Sequence, residues 1–257
     1  MKRILFYFLF IVCFLQLAIL GQGKSKVISQ IQGPIKTNCY LLYDLSTREA
    51  AIIDVAGNLD SLTTYISINN LNLRYIFLTH AHWDHVEGLP ALKEKFPNAK
   101  VCLNKEEFIA MQNYYRFSKE SDPARFAKVM QDSALARMMN FDLASINPDI
   151  YLNDNEEFSL GNLIIRTLLT PGHSAGSICF SCENVLFAGD VLFYRTVGNT
   201  DFYKASRSDQ ILSVRKLYKL FPDSTTVYPG HGQITTIGSE KKENKYITVD
   251  GGKWDIK

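Results

Sequence analysis

At 257 residues the chain is long enough to bury a full core, either as one large α/β domain or as two small ones. Hydrophobic residues at 46% and charged residues at 21% are ordinary globular values and argue against a disordered chain. A formal charge of +2 gives no electrostatic case for binding nucleic acid or an anionic membrane, which leaves a small molecule as the expected partner.

The first element is a leader. Lys2 and Arg3 precede a nearly unbroken apolar run from Ile4 to Leu20, and Gly21-Gln22-Gly23 follows. This reads as a secretory signal over residues 1–23, so the protein is expected to be exported, periplasmic or secreted. A run of that length also reaches the short limit of a bilayer span, so an uncleaved anchor over residues 4–20 is the alternative, and membrane association is expected only in that case. Removing residues 1–23 leaves 26 basic residues, 28 less two, against 26 acidic ones. Residues 24–257 are then read as a single, nearly neutral domain.

Short β-favouring runs open that domain: Val27–Ile31, Cys39–Tyr43 and Ala50–Asp54, separated by turn residues such as Gly33-Pro34 and Asp44. Leu59–Asn70 has helical spacing. The apolar run Tyr75–Leu78 reads as a buried strand, and Thr79-His80-Ala81-His82-Trp83-Asp84-His85 follows where it ends. Three of the chain's five histidines and a carboxylate fall within six residues there. His80 and His82 are two apart, so on extended backbone they project to one side and can grip one metal. Asp84 and His85 are adjacent, where the chain should already be turning, and so suit a second centre beside the first. Neutral imidazole and carboxylate are the ligands that suit zinc, and a catalytic zinc keeps a position open for water. A polar loop with satisfied histidines is the bland alternative, and the ligand density weighs against it.

A helix is expected over Val86–Phe96, closed by Pro97-Asn98, and a strand over Lys100–Leu103. Apolar residues spaced as on amphipathic helices then run through about 105–140, around Asp122-Pro123, as a helical insertion able to pack on the core or to lie over a substrate pocket. The strand Asn162–Thr170 stops at Pro171-Gly172-His173. Ser177–Phe180 and Asn184–Ala188 form a hairpin, and its second strand stops at Gly189-Asp190. Gln210–Leu220 reads as a helix, and the strand Thr225–Tyr228 stops at Pro229-Gly230-His231. Cys179 and Cys182 have redox-like spacing, but no helix follows and Glu183-Asn184 reads as a turn, so these two, with Cys39 and Cys102, are expected to be structural or free thiols. Asp54, His80, His173, Asp190 and His231 thus all sit where a β run finishes, and open α/β architectures bind ligands at such ends. Proline fixes each Pro-Gly-His turn and glycine permits a tight backbone, which aims the imidazole that follows.

The order Thr-His-x-His-x-Asp-His, Pro-Gly-His, Gly-Asp, Pro-Gly-His resembles the metallo-β-lactamase superfamily, from about Val27 to Ile237. The resemblance implies an α/β fold, a four-layer αβ/βα sandwich of two mixed sheets flanked by helices. It also implies two divalent metal ions, zinc first and iron as the alternative, with His80, His82 and His173 at the first, Asp84, His85 and His231 at the second, and Asp190 between them. Asp54 matches an early strand-end aspartate that orients the site from behind the ligands. Within the superfamily, Gly189–Phe193 and Pro229–Asn244 are most similar to compact glyoxalase II-type hydrolases, whereas true β-lactamases usually carry Cys or Ser where this chain has Asp190. That similarity implies attack of a metal-activated hydroxide on a thioester or ester carbonyl, with Asp84 as the catalytic residue that takes up the proton. Nine residues after the bridging aspartate, where the family tends to carry a cation for the glutathione carboxylate, stands Asn199, with Arg195 nearby as a cation that could compensate. Three readings compete with the hydrolase: a mononuclear iron persulfide dioxygenase using His80, His173 and Asp190, a lactonase, and a non-enzymatic binding protein.

Overall fold

A computed structural model describes residues 24–110, 124, 127, 131, 147–249 and 253–254. The leader expected at 1–23 lies outside them, as does most of the helical insertion expected at about 105–140, of which residues 105–110 are helical. No helix among the described residues is long and apolar enough to cross a membrane.

Strands β1 (Ser25–Gln32), β2 (Thr37–Asp44) and β3 (Glu49–Ile53) form an antiparallel meander, and β4 (Asn72–Phe77), β5 (Lys100–Asn104) and β6 (Ile150–Leu152) extend it in parallel into a six-stranded sheet. Parallel neighbours need crossovers. Helix α1 (Asp60–Ile68) carries the chain from β3 to β4, and α2 (Trp83–Val86) with α3 (Leu89–Lys95) from β4 to β5. The second six-stranded sheet pairs β7 (Glu157–Leu160), β8 (Leu163–Leu169), β9 (Ile178–Cys182) and β10 (Val185–Gly189) antiparallel. The 14-residue helix α4 (Arg207–Leu220) then leads to β11 (Thr226–Pro229), parallel to β10, and β12 (Thr235–Thr236) and α5 (Ile237–Glu243) close the order.

Three apolar clusters separate four layers. Side chains of β2 alternate between two of them: Cys39, Leu41 and Tyr43 face α1 and α3, while Tyr40 and Leu42 face the opposite sheet. Because both faces are covered, the whole of β2 is buried. Phe77 of the first sheet and Phe180 of the second meet with ring centroids 4.9 Å apart in the central cluster. On the far side of the second sheet, Leu186, Ala188 and Val227 pack against Val214 and Leu217 of α4 and Ile237 of α5.

Strand direction then places the site. β3, β4 and β5 run parallel, and β8, β10 and β11 share one direction, since β8 and β10 each lie antiparallel to β9. The chain ends of β3, β4, β8, β10 and β11 deliver Asp54, His80, His173, Asp190 and His231. Contacts between the sheets stitch this rim: Ile178 N donates to Thr79 O at 2.8 Å, Asn38 N to Gly230 O at 2.7 Å, and the Tyr40 hydroxyl to Pro229 O at 2.6 Å. At the other end of β2, the buried Asp44 ties the β2–β3 turn to the β7–β8 turn. Its carboxylate accepts from the Ser46 hydroxyl and backbone N–H at 2.7 Å, from Thr47 N at 3.2 Å, and from Asn162 N of the second sheet.

Several elements differ from the sequence reading. The helix expected over Val86–Phe96 begins only at Leu89, as α3; the turn expected at Asp84 and His85 is instead the short helix α2, and Gly88 between the two is hydrogen-bonded through its N–H to Val55 O. Helix α4 starts at Arg207 rather than Gln210, because Ser206 caps it by accepting from Asp209 N. Strands β6, β7 and β12 carry too few alternating residues to register as a pattern. All four described cysteines are free and buried. Cys179 packs in the outer cluster and Cys182 in the central one, on opposite faces of β9, so this pair cannot form a redox couple without refolding the strand. Burial pushes the Cys39, Cys179 and Cys182 thiols up to about 12, which makes them inert.

Candidate metal centre

The rim brings together every residue expected there. His80, His82 and His173 form one group, Asp84, His85 and His231 a second, and His80, His85 and Asp190 a third that joins them, each with its ligand atoms within 4.8 Å of one another. His80 and His82 converge from irregular backbone after β4, and Asp84 and His85 sit on the short helix α2.

Partners behind the rings fix which nitrogen faces inward. Asp54 is held at φ 60° and is buried; one carboxylate oxygen accepts from Thr79 N at 2.8 Å, the other from the Thr79 hydroxyl and His85 Nδ1, each at 2.8 Å. The Thr79 hydroxyl, already donating to Asp54, accepts from His80 Nδ1 at 3.0 Å. His173 Nδ1 donates to Asn199 O at 2.7 Å. With those protons directed outward, His80, His85 and His173 each present an Nε2 lone pair to the centre.

Those lone pairs meet without enough protons to satisfy them. His80 Nε2 and His173 Nε2 lie 3.1 and 2.8 Å from His82 Nδ1, which can donate to only one of them. Among the described residues, His85 Nε2 and Asp190 Oδ1 are buried with no hydrogen-bond partner, and they face each other at 3.4 Å. Buried polar atoms left unpaired in this way are costly, and convergent imidazole nitrogens beside carboxylate oxygens are a donor set for a divalent cation.

Electrostatics agree with that fit. Burial holds His80 well below the ordinary histidine range, helped by the neighbouring His85 and His82 rings, and burial with His173 beside it takes His82 down to about 3. These rings are therefore neutral and ready to ligate. Burial opposes ionisation of Asp84 and Asp190, but His85 and the hydrogen bond from His231, joined at Asp190 by His173, together outweigh it and hold both carboxyls well below the usual range. Burial likewise opposes charge on His231, yet hydrogen bonds to Asp190 and Asp84 raise it to about 10. Positive charge is thus demanded between these carboxylates, and a divalent cation meets that demand in place of the imidazole protons.

Residues that carried no signal in sequence complete the arrangement. The Thr37 hydroxyl donates to Asp84 Oδ2 at 2.6 Å. Gln210, fully buried on α4, accepts from His173 N at 2.7 Å and donates to Val191 O at 2.8 Å, fixing the His173 turn against the stretch after Asp190. Glu107 accepts from Ala81 N and Gly176 N. Gln210 and Glu107 act through backbone atoms of distant segments and Thr37 through a distant carboxylate, which no local motif reveals. Gly230 is required by close approach, since a Cβ there would lie 2.1 Å from Asp190 Oδ1. The half-exposed Phe202 ring stands edge-on to His82 and His173, with centroids at 4.8 and 5.4 Å, and Phe193 stands edge-on to His231 at 5.8 Å.

Residues 32–231 match the Metallo-beta-lactamase superfamily. The chain belongs to that superfamily. Among curated members it is 33% identical to hydroxyacylglutathione hydrolase GloC of Haemophilus influenzae, over 82% of this chain and 92% of that one. It is 28% identical to the probable polyketide biosynthesis zinc-dependent hydrolase PksB of Bacillus subtilis, over 87% and 90%. Among solved structures the B3 metallo-beta-lactamase BLEG-1 superposes with a TM-score of 0.69 at 31% identity, covering 85% of this chain and 98% of that one. The superfamily comprises metal-dependent hydrolases, and its two mixed sheets flanked by helices are the fold described above.

Proposed function

We propose that the protein is a zinc-dependent hydrolase that cleaves small thioesters or esters with two divalent ions. One observation carries the reading: two ligand groups, His80, His82 and His173 on one side and Asp84, His85 and His231 on the other, face each other across Asp190. The identity to a hydroxyacylglutathione hydrolase and to a zinc-dependent hydrolase supports the choice of reaction and metal.

Bound together, two such ions supply a water acidified toward neutrality and a polarised substrate carbonyl. The protein's own residues do the rest. Asp84, fixed by the Thr37 hydroxyl at 2.6 Å, orients the attacking water and takes its proton. Phe202 and Phe193 exclude bulk water and give the substrate apolar contact beside the imidazoles. A thiolate leaving group, whose conjugate acid has a pKa of about 8.5, departs without a dedicated general acid.

Glutathione itself is a poor fit. Arg195 is spoken for: its guanidinium pairs with Glu240 at 3.0 Å and with Glu243, so it does not replace the cation that Asn199 lacks. Asn199 is engaged through its backbone carbonyl with His173 and through its side chain with Asp201 N. We therefore place the substrate among thioesters that are not held by the glutathione carboxylate, with export through the leader at residues 1–23 as part of the same proposal.

The test is a panel of glutathione thioesters, other thioesters, lactones and simple esters, assayed on leaderless protein of known metal content. Thioester cleavage abolished by a chelator and restored by zinc is the expected result. Cleavage indifferent to chelator sinks the mechanism. A single iron with oxygen uptake on glutathione persulfide replaces it with the dioxygenase reading, for which His80, His173 and Asp190 are the corresponding set, and a preference for lactones replaces the substrate.

A further inference from the structure

We infer that Glu107 is a positioning residue: its carboxylate registers the His80–His82 loop against the loop that follows His173, and so sets the affinity of the three-histidine metal position. Glu107 lies on the first helical turn after β5 and is only 2% exposed. One oxygen accepts from Ala81 N, between the two histidines, at 2.9 Å; the other accepts from Gly176 N, three residues beyond His173, at 2.6 Å. One carboxylate thereby spans two segments from different sheets, and each segment carries ligands of the same group.

The joint is built to be close. Asn104 Oδ1 accepts from Glu106 N at 2.8 Å and its amide donates to Leu152 O at 2.9 Å, which anchors the turn to the β5–β6 pair. A Cβ on Gly176 would lie 2.2 Å from Asn104 Oδ1 and 3.1 Å from Glu107 Cγ, so only glycine lets the His173 loop come within reach. A carboxylate is the side chain that matches the task, because it accepts at both oxygens and has no proton to turn against an N–H. Glutamine keeps the size and one acceptor but points an NH2 group at the other N–H. The Asp84, His85 and His231 group receives no bond from Glu107, so the effect is confined to one metal position.

The inference concerns metal affinity and is read without any assay of hydrolysis, so it stands or falls apart from the choice of substrate. Zinc is titrated against a competing chelator for the wild type, Glu107→Gln, Gly176→Ala and the control Asp44→Asn, which removes a buried backbone-accepting carboxylate at the opposite end of β2. Zinc and cobalt are the only probes, and the visible spectrum of the cobalt-loaded protein reports ligand geometry. In Glu107→Gln and Gly176→Ala one equivalent binds about 10- to 100-fold more weakly while the other holds, and the cobalt spectrum changes, as expected for loss of a group that orients ligands. Asp44→Asn binds both equivalents as the wild type does. Unchanged affinity in both site variants, parallel weakening of both equivalents, or an equal loss in Asp44→Asn overturns the inference. A wild type that binds no divalent ion overturns it together with the metal reading.

Discussion

Asp54 shows how a single residue is tuned. A left-handed backbone at φ 60° is unfavourable for most side chains, and Asp tolerates it better than most. The conformation turns its carboxylate toward Thr79 and His85 at once. Asp54→Asn keeps the backbone preference and the size but offers His85 Nδ1 an amide that can itself be a donor, which promotes the wrong ring tautomer. We expect it to weaken zinc binding about 10- to 100-fold with little change in melting temperature, read by chelator competition and thermal unfolding. A large fall in melting temperature at unchanged zinc affinity would make Asp54 a folding residue instead. The histidines and aspartates were legible in sequence because five imidazoles gathered just after the ends of three strands are chemically conspicuous. Glu107, Gln210 and Thr37 were not, because an ordinary side chain that binds a remote backbone N–H or carboxylate leaves no local trace.

At the scale of elements, legibility followed burial. Strands covered on both faces, such as β2 and β10, stand out as apolar runs, whereas β7 is half-exposed at the sheet edge and β6 has three residues. The break between α2 and α3 was hidden for another reason. Apolar spacing continues through it, but Pro90 in the first turn of α3 has no N–H for Val86 O, and tertiary contact holds the break: Val55 N bonds to His85 O at 2.8 Å and Gly88 N to Val55 O at 3.0 Å, drawing the helix end against the loop after Asp54. A Cβ at Gly88 would lie 2.0 Å from Gly57 O, which is backbone and cannot step aside. Gly88→Ala should therefore cost about 1–3 kcal/mol in urea unfolding, and it should shift the cobalt spectrum because Asp84 and His85 ride on α2. A stability equal to wild type would show that the loop at Gly57 yields.

Among the described residues two sheets are clasped at both ends of their strands, and the candidate metal ligands gather at one of the two clasps. At the site end, ligands and backbone bonds from β2, β4, β9 and β11 share the work. At the far end Asp44 is central, and its charge explains a pH dependence that owes nothing to metal. Burial alone would raise its carboxyl, but hydrogen bonds from the Ser46 hydroxyl and the backbone N–H groups of Asn162, Ser46 and Thr47 outweigh that and bring it down to about 2. A carboxyl lowered on folding stabilises the native state fully above its unfolded value near 4, and that contribution drains away as the pH falls through about 2. Asp44→Asn should thus be less stable than wild type by about 1 to 2 kcal/mol at pH 7. Urea unfolding of both proteins, stripped of metal so that the ligands of the other clasp titrate alike in the two and cancel in the difference, should show this gap constant from pH 7 to 5 and closing from pH 4 downward. A gap that stays constant down to pH 2 would mean that the lost hydrogen-bond geometry, and not the charge, is what Asp44 contributes.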